Sequence, residues 1–320
     1  MKACNLLFII AVSVLLVVSG CSSKQGSKSK SDKKDVGPLS FPYPSVPAMV
    51  TSGAEAGIYA VTRFWDRYFD SISEFRSLPE TELNNAMKSY ISGLWDIPFA
   101  EALKAQEHFT ERLFGYHTAY PDDSIYSFFC TLMENALYNP QSDFRNEDLY
   151  VPVLEMMCRD PYADSSENST FRFRLEKCNL NRTGTVAGNF PFTDSKGQRS
   201  NLHDIKADYI MILFSNPGCA ACAETISGIM SSPTLSGMIS EEKIEVLNIY
   251  IDEDLSAWKE ALPDYPSEWI NAFNDDFSLR AGNNYDIRAI PSLYLLDRSH
   301  KVLFKDISTP MLIHMAERLK

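Results

Sequence analysis

Tyr209-Ile210-Met211-Ile212-Leu213-Phe214-Ser215-Asn216-Pro217-Gly218-Cys219-Ala220-Ala221-Cys222-Ala223-Glu224-Thr225-Ile226 is the stretch on which the fold turns. Its first six residues are an unbroken apolar run, suited to a strand covered on both faces. Ser215-Asn216-Pro217-Gly218 then reads as a turn, and a helix starts beside Cys219. Position gives the two cysteines a purpose. At or near the first helical position, Cys219 meets the unsatisfied N–H groups and positive end of the helix, which stabilise a thiolate. Cys222 lies one turn on, within reach of its sulfur. One cysteine attacks and the other resolves.

Working outward, Phe190 to Thr193, Ile244 to Ile251, Ser292 to Leu296 and Val302 to Phe304 also read as short strands, the last two joined as a hairpin around Asp297-Arg298-Ser299-His300. Helical stretches separate most of the others, so the alternation alone implies a mostly parallel central sheet. In Ala289-Ile290-Pro291-Ser292-Leu293-Tyr294, Pro291 opens a strand where it removes no central ladder bond, and the Ile290-Pro291 peptide is a candidate for the cis form.

Three elements now stand in order: Phe190-Pro191-Phe192-Thr193-Asp194-Ser195-Lys196-Gly197, then Cys219 to Cys222, then Ile290-Pro291-Ser292. In this order they resemble the thioredoxin-like reductases of bacterial cell envelopes, over about residues 184 to 320. The resemblance implies an α/β thioredoxin-like C-terminal domain, with a central mixed sheet flanked by helices. It implies Cys219 as the exposed nucleophile and Cys222 as the buried resolving thiol. Pro291 would be a cis-proline packed against the pair, with the Ile290 backbone binding an extended peptide of the substrate. Asn216, Pro217, Gly218 and Glu224 are the supporting positions around the pair.

Two departures stand out. Gly218 occupies a position where relatives often carry Trp or Tyr. Glu224 lies two residues after Cys222, whereas an acid important in some relatives lies three after, where this chain has Thr225. The residues between the cysteines, Ala220 and Ala221, add no cation near the thiolate, so a reducing or near-neutral pair is expected rather than a strong oxidant.

The first half is different. From Pro44 to about Arg159, aromatics recur at helical spacing, as in Phe64, Trp65, Tyr68 and Phe69 or Tyr90, Leu94 and Trp95. We read an N-terminal all-α helical domain of four to five helices over 44–163, with the polar Asp164 to Thr170 opening a linker over 164–183. Leu137-Tyr138-Asn139-Pro140-Gln141-Ser142-Asp143-Phe144-Arg145-Asn146-Glu147-Asp148-Leu149-Tyr150 resembles part of an uncharacterised helical domain that precedes thioredoxin-like domains in many bacterial lipoproteins. That likeness implies architecture and no activity. His108 and His117 lie nine apart, off a common helix face, and are read as structural. Cys130 sits on an apolar face as a buried thiol, with a Cys130–Cys158 disulfide as an open alternative.

At the N-terminus, the apolar run Leu6 to Val18 falls short of the about 20 residues that span a bilayer and fits the roughly 7–15 of a signal peptide. Val18-Ser19-Gly20-Cys21 resembles a bacterial lipobox. Residues 1–20 are therefore expected as a lipoprotein signal peptide, with Cys21 carrying diacylglyceryl and N-acyl groups. Residues 21–43 are expected as a flexible lipidated tether. The expected place is the cell envelope of a bacterium, anchored to a membrane and facing the periplasm. Multiple acyl chains hold such an anchor firmly.

Composition narrows the class further. Forty-two acidic against 30 basic residues give a net charge of −12, which disfavours nucleic acid as a partner, and 45% apolar content excludes a disordered chain. Of seven cysteines, five remain after Cys4 leaves with the signal and Cys21 takes lipid, so they cannot all pair internally. Zinc is disfavoured because no second Cys pair or nearby His follows Cys222. Peroxide reduction is disfavoured because no activating Thr and Arg are recognisable near Cys219.

The expected function is a thiol-disulfide oxidoreductase acting on protein disulfides of extracytoplasmic partners. It needs no organic cofactor but requires an upstream electron donor. The alternatives are a structural disulfide in a non-catalytic binding module, and a scaffold lipoprotein whose helical domain recognises a partner.

Overall fold

The computed structural model of the chain describes residues 39–282 and 284–319. The expected signal peptide, the lipid acceptor Cys21 and the tether as far as residue 38 lie outside the described residues. The tether's expected end at 43 is too late. Phe41 is 3% exposed and stacks on Phe64 at 5.4 Å and edge-on to Trp65 at 5.1 Å, because Leu39 and Phe41 are apolar enough to join the aromatic core beside them.

The helical region runs through α1 (Gly53–Thr62), α2 (Asp66–Asp70), α3 (Ile72–Phe75), α4 (Glu80–Asp96), α5 (Phe99–Ala119), α6 (Ile125–Met133), α7 (Glu147–Cys158) and α8 (Ser165–Cys178). That exceeds the four to five helices expected, partly because Ser71 separates two short ones. α5 packs on α1 and α7 around Trp65, Tyr90, Phe109 and Phe129. The expected linker 164–183 is largely helical too. Asp164 accepts from the Ser166 and Glu167 amides while Glu167 accepts from the Asp164 amide, a reciprocal cap that starts α8. Phe171, Leu175 and Cys178, at i, i+4 and i+7, then pack on the helical core.

The second region is β1 (Pro191–Asp194), β2 (Arg199–Asn201), β3 (Tyr209–Ser215), α9 (Ala220–Ser231), α10 (Pro233–Ser240), β4 (Ile244–Tyr250), α11 (Leu255–Ala261), β5 (Ile270–Phe273), β6 (Ser292–Asp297), β7 (Val302–Phe304) and α12 (Thr309–Ala316). The sheet order is β2-β1-β5-β4-β3-β6-β7. It is mixed, as the family resemblance implies, and not mostly parallel as the alternation alone suggests. Among the described residues only β3–β4 and β4–β5 are parallel, the pairs joined through helices, while β1, β6 and β7 pair antiparallel. β2 and β5 are not expected from sequence.

Apolar clusters cover both faces of the sheet, one around Ile212, Phe214 and Tyr294, the other around Met211, Leu213 and Leu312. Trp95, from α4 of the helical region, belongs to the second cluster. The two regions thus share a core.

Candidate functional site

β3 ends at Ser215, and the register pairs Phe214 with Ser292, the residue after Pro291. The turn that carries the cysteines and the segment that carries Pro291 therefore leave the sheet at the same end. The Ile290–Pro291 peptide is cis. Between β3 and α9, Gly218 adopts φ +71°, a left-handed conformation that glycine accepts and an aromatic residue would resist. The departure from Trp or Tyr at this position thus has a backbone reason.

Cys219 is the N-cap of α9, one position earlier than the first helical residue, and its Sγ accepts from the Cys222 amide at 3.2 Å. The two form a disulfide with Cα atoms 5.2 Å apart. Cys222 is 2% exposed, while Cys219 is half-buried and open to solvent. Sulfur at the start of a twelve-residue helix sits where unpaired N–H groups favour negative charge. After reduction, Cys219 is accordingly the sulfur that gains as a thiolate.

The first turns of α9 separate two clefts. One, about 450 Å³, is lined by Asn216, Cys219, Ala223, Ile226, Asp264 and Tyr265. The other, about 540 Å³, takes in Ala221, Glu224, Thr225 and Pro291. Ile290 lines the second cleft as well, and Asn216, Pro217 and Gly218 all line the first.

Several uncharged polar groups lie on the elements that carry the disulfide. Thr225 is 5% exposed, with its hydroxyl 3.1 Å from that of Thr309. Ser215 donates to Asn248 at 2.5 Å, Asn248 donates to Asn271 at 3.0 Å, and Asn271 donates to the Pro266 carbonyl at 2.9 Å. Tyr265 meets Ser215 as well. Burial, with the Asp264 charge, pushes its hydroxyl pKa up, and that hydrogen bond opposes the shift. Glu224 is exposed on the outer face of α9, not behind Cys222. Asn216 donates to Asp252 at the rim of the first cleft.

Sequence reasoning missed the Ser215–Asn248–Asn271 chain. Its signal was Asn248 within the apolar stretch Val246 to Tyr250 of β4. Also missed was a buried charge cluster joining the two regions. Glu147, the first residue of α7, lies 2.6 Å from both Arg288 and Lys305. Arg288 also donates to the Tyr138 carbonyl at 2.5 Å and lies 3.9 Å over its ring. Asp306 accepts from Ser292 at 2.8 Å and faces Arg145 at 3.4 Å. Asp148 accepts from Arg182 and from the Thr183 amide, both at 2.9 Å.

The remaining thiols among the described residues lie outside the linings of these two clefts. Cys130, Cys158 and Cys178 are free, so the Cys130–Cys158 alternative is not realised. Burial pushes Cys130 and Cys178 up to about 12, which keeps them protonated and inert. His117 stacks on Tyr126 at 3.8 Å and bonds Asp160, and His108 bonds Asp66. Neither is near the other.

The chain is similar to a solved structure, a thioredoxin-like protein from Bacteroides caccae. It is 33% identical and covers 88% of this chain and 99% of its own, with a TM-score of 0.72. The chain belongs to that thioredoxin-like family. Residues 207–302 match the thioredoxin-like family description, and residues 19–181 match a domain of unknown function, DUF5106, which takes in α8.

This thioredoxin-like chain is also similar to the C-terminal domain of an uncharacterised protein from Bacteroides fragilis. That match is 40% identical over 43% of this chain and 98% of that one, with a TM-score of 0.42. The thioredoxin domain of a thiol-disulfide oxidoreductase from Bacteroides vulgatus is 22% identical over 43% of this chain and 97% of that one, with a TM-score of 0.39. No curated protein matches the chain.

Proposed function

We propose that the chain is a thiol-disulfide oxidoreductase that reduces or exchanges disulfides of extracytoplasmic proteins through Cys219 and Cys222. The observation that carries this reading is the half-buried Cys219 at the α9 N-terminus, bonded to a buried Cys222, at the sheet end that also bears cis-Pro291.

In the reductive direction, the Cys219 thiolate attacks one sulfur of a partner disulfide. A mixed disulfide forms and the partner's other sulfur leaves as a thiolate. Cys222 then loses its proton and attacks the Cys219 sulfur, which expels the partner's second thiolate. The Cys222 proton and one from solvent neutralise the two released thiolates. Two electrons have passed to the partner, and the chain is left as the disulfide. A dithiol donor must restore it, and the two sulfurs need no organic cofactor. The lipid on Cys21 is the proposed membrane anchor of this activity, in a bacterial envelope. Among the described residues, no helix is long and apolar enough to cross a membrane.

Insulin or glutathione-disulfide reduction, lost on Cys219→Ser, tests the proposal. One observation favours a second reading. The residue three after Cys222, where some relatives carry an acid, is the buried Thr225, its hydroxyl paired with that of Thr309, as befits a binding module that keeps the fold without turnover. A wild-type chain inert towards both substrates would establish that reading.

A further inference from the structure

The cleft beside Pro291 is not made by the thioredoxin-like region alone. One side is Thr225 and Glu224 of α9, with Pro291. The facing side is Gln141 and Asp143, from the loop between α6 and α7 of the helical region. This loop is held in place. Ser308 donates to the Asp143 carbonyl at 2.6 Å, Trp95 donates to the Phe144 carbonyl at 3.4 Å, and Arg145 donates to the Ile307 carbonyl at 3.3 Å. Arg288, three residues before Pro291, holds the Tyr138 carbonyl at the loop's start, and Glu147 at its end.

The cleft's charge is one-sided. Among the described residues, Arg145 is its only lining base and is turned onto Asp306 at 3.4 Å. Asp143 and Glu224 are exposed, and neither enters an ion pair among the described residues.

We propose that the loop 140–145 of the helical region is the second wall of the substrate groove, and that the groove takes an extended polypeptide segment carrying basic side chains next to the disulfide being exchanged. This rests on the redox reading above and gives the helical region a role in it. A segment lying along Pro291 passes within the cleft between the two walls. Its cationic side chains meet Asp143 and Glu224, and its backbone meets a loop already fixed before it arrives.

The test uses the full chain, reduced, with two synthetic peptides that each contain one disulfide, flanked by lysines in one and by glutamates in the other. Hydroxyethyl disulfide serves as the uncharged reference. The wild type is expected to reduce the lysine-flanked peptide about twofold to fivefold faster at low salt, the preference fading as salt is added. Asp143→Lys is expected to abolish or invert that ratio. Because only the Asp143 carbonyl is used in the loop's anchoring, the variant keeps its fold. Glu268→Lys, exposed just before β5 and so at the opposite end of the sheet, separates a groove from a general field and should move the ratio less. Equal effects of the two variants, or a ratio unmoved by Asp143→Lys, would overturn the inference while leaving the redox reading intact. A wild type that fails on hydroxyethyl disulfide as well would overturn both.

Discussion

The guanidinium of Arg288 lies 2.6 Å from the Glu147 carboxylate, and so fastens the segment leading to Pro291 onto the first turn of α7. Glu147 is 2% exposed and takes Lys305 on its other oxygen. Removing one member of a buried ion cluster strands the others, at a cost of about 3–5 kcal/mol. Glu147→Ala is therefore expected to lose about that much in urea unfolding, with Glu147→Gln milder because its amide oxygen still accepts. A loss near that of a surface substitution would show that the cluster does not hold the two regions together.

Exchange through a mixed disulfide sets a simple pattern for the cysteines. Cys219→Ser should abolish disulfide reduction, whereas Cys222→Ala should accumulate a partner bonded to Cys219, visible as a mass shift that dithiothreitol reverses. If Cys219→Ser retained activity, the assignment of the nucleophile would be wrong.

Ala220 and Ala221 bring no charge to the sulfurs, which leaves the α9 N-terminus as the main support for a thiolate. The potential should then lie nearer the roughly −270 to −180 mV of reducing and isomerase pairs than the about −120 mV of a strong oxidant. Equilibration against glutathione buffers measures it.

At Gly218 the constraint is the backbone angle, not space: a Cβ at this position would meet nothing within 4 Å, yet φ is +71°. Gly218→Ala is expected to cost about 1–2 kcal/mol in unfolding, without the larger loss that a clash would add.

Asp306 makes stability depend on pH. Burial raises its pKa, Arg145 partly opposes this, and Glu147 reinforces it, with Arg288 acting alongside Arg145. The folded chain therefore holds this proton to a higher pH than the unfolded chain does. Across the window from the ordinary carboxylate range up to the raised value, the group's contribution to stability falls as pH rises. Asp306→Asn removes that dependence. From about pH 4 to about pH 7, its Tm relative to the wild type should move in the variant's favour. A constant difference would contradict the shift.

Much of the second region was readable because its signals are local. The apolar run to Phe214, the turn at Pro217-Gly218 and the Ile290-Pro291 dipeptide each declare their own conformation. β5 escaped because Ile270-Asn271-Ala272-Phe273 is short and carries a polar residue whose partners, Asn248 and the Pro266 carbonyl, are defined only in the fold. α8 escaped for another reason. Its opening, Ser165 to Thr170, has the composition of a linker, and the signs that make it a helix are the Asp164–Glu167 cap and the spacing of Phe171, Leu175 and Cys178. The charge cluster could not be read at all, since Glu147 and Arg288 stand 141 positions apart and nothing local marks them as neighbours.

Anchoring of the 140–145 loop has a bearing on which clients could be served. On the proposed reading, the shared frame favours a disulfide borne on a slender stretch of its client over one packed within a finished domain.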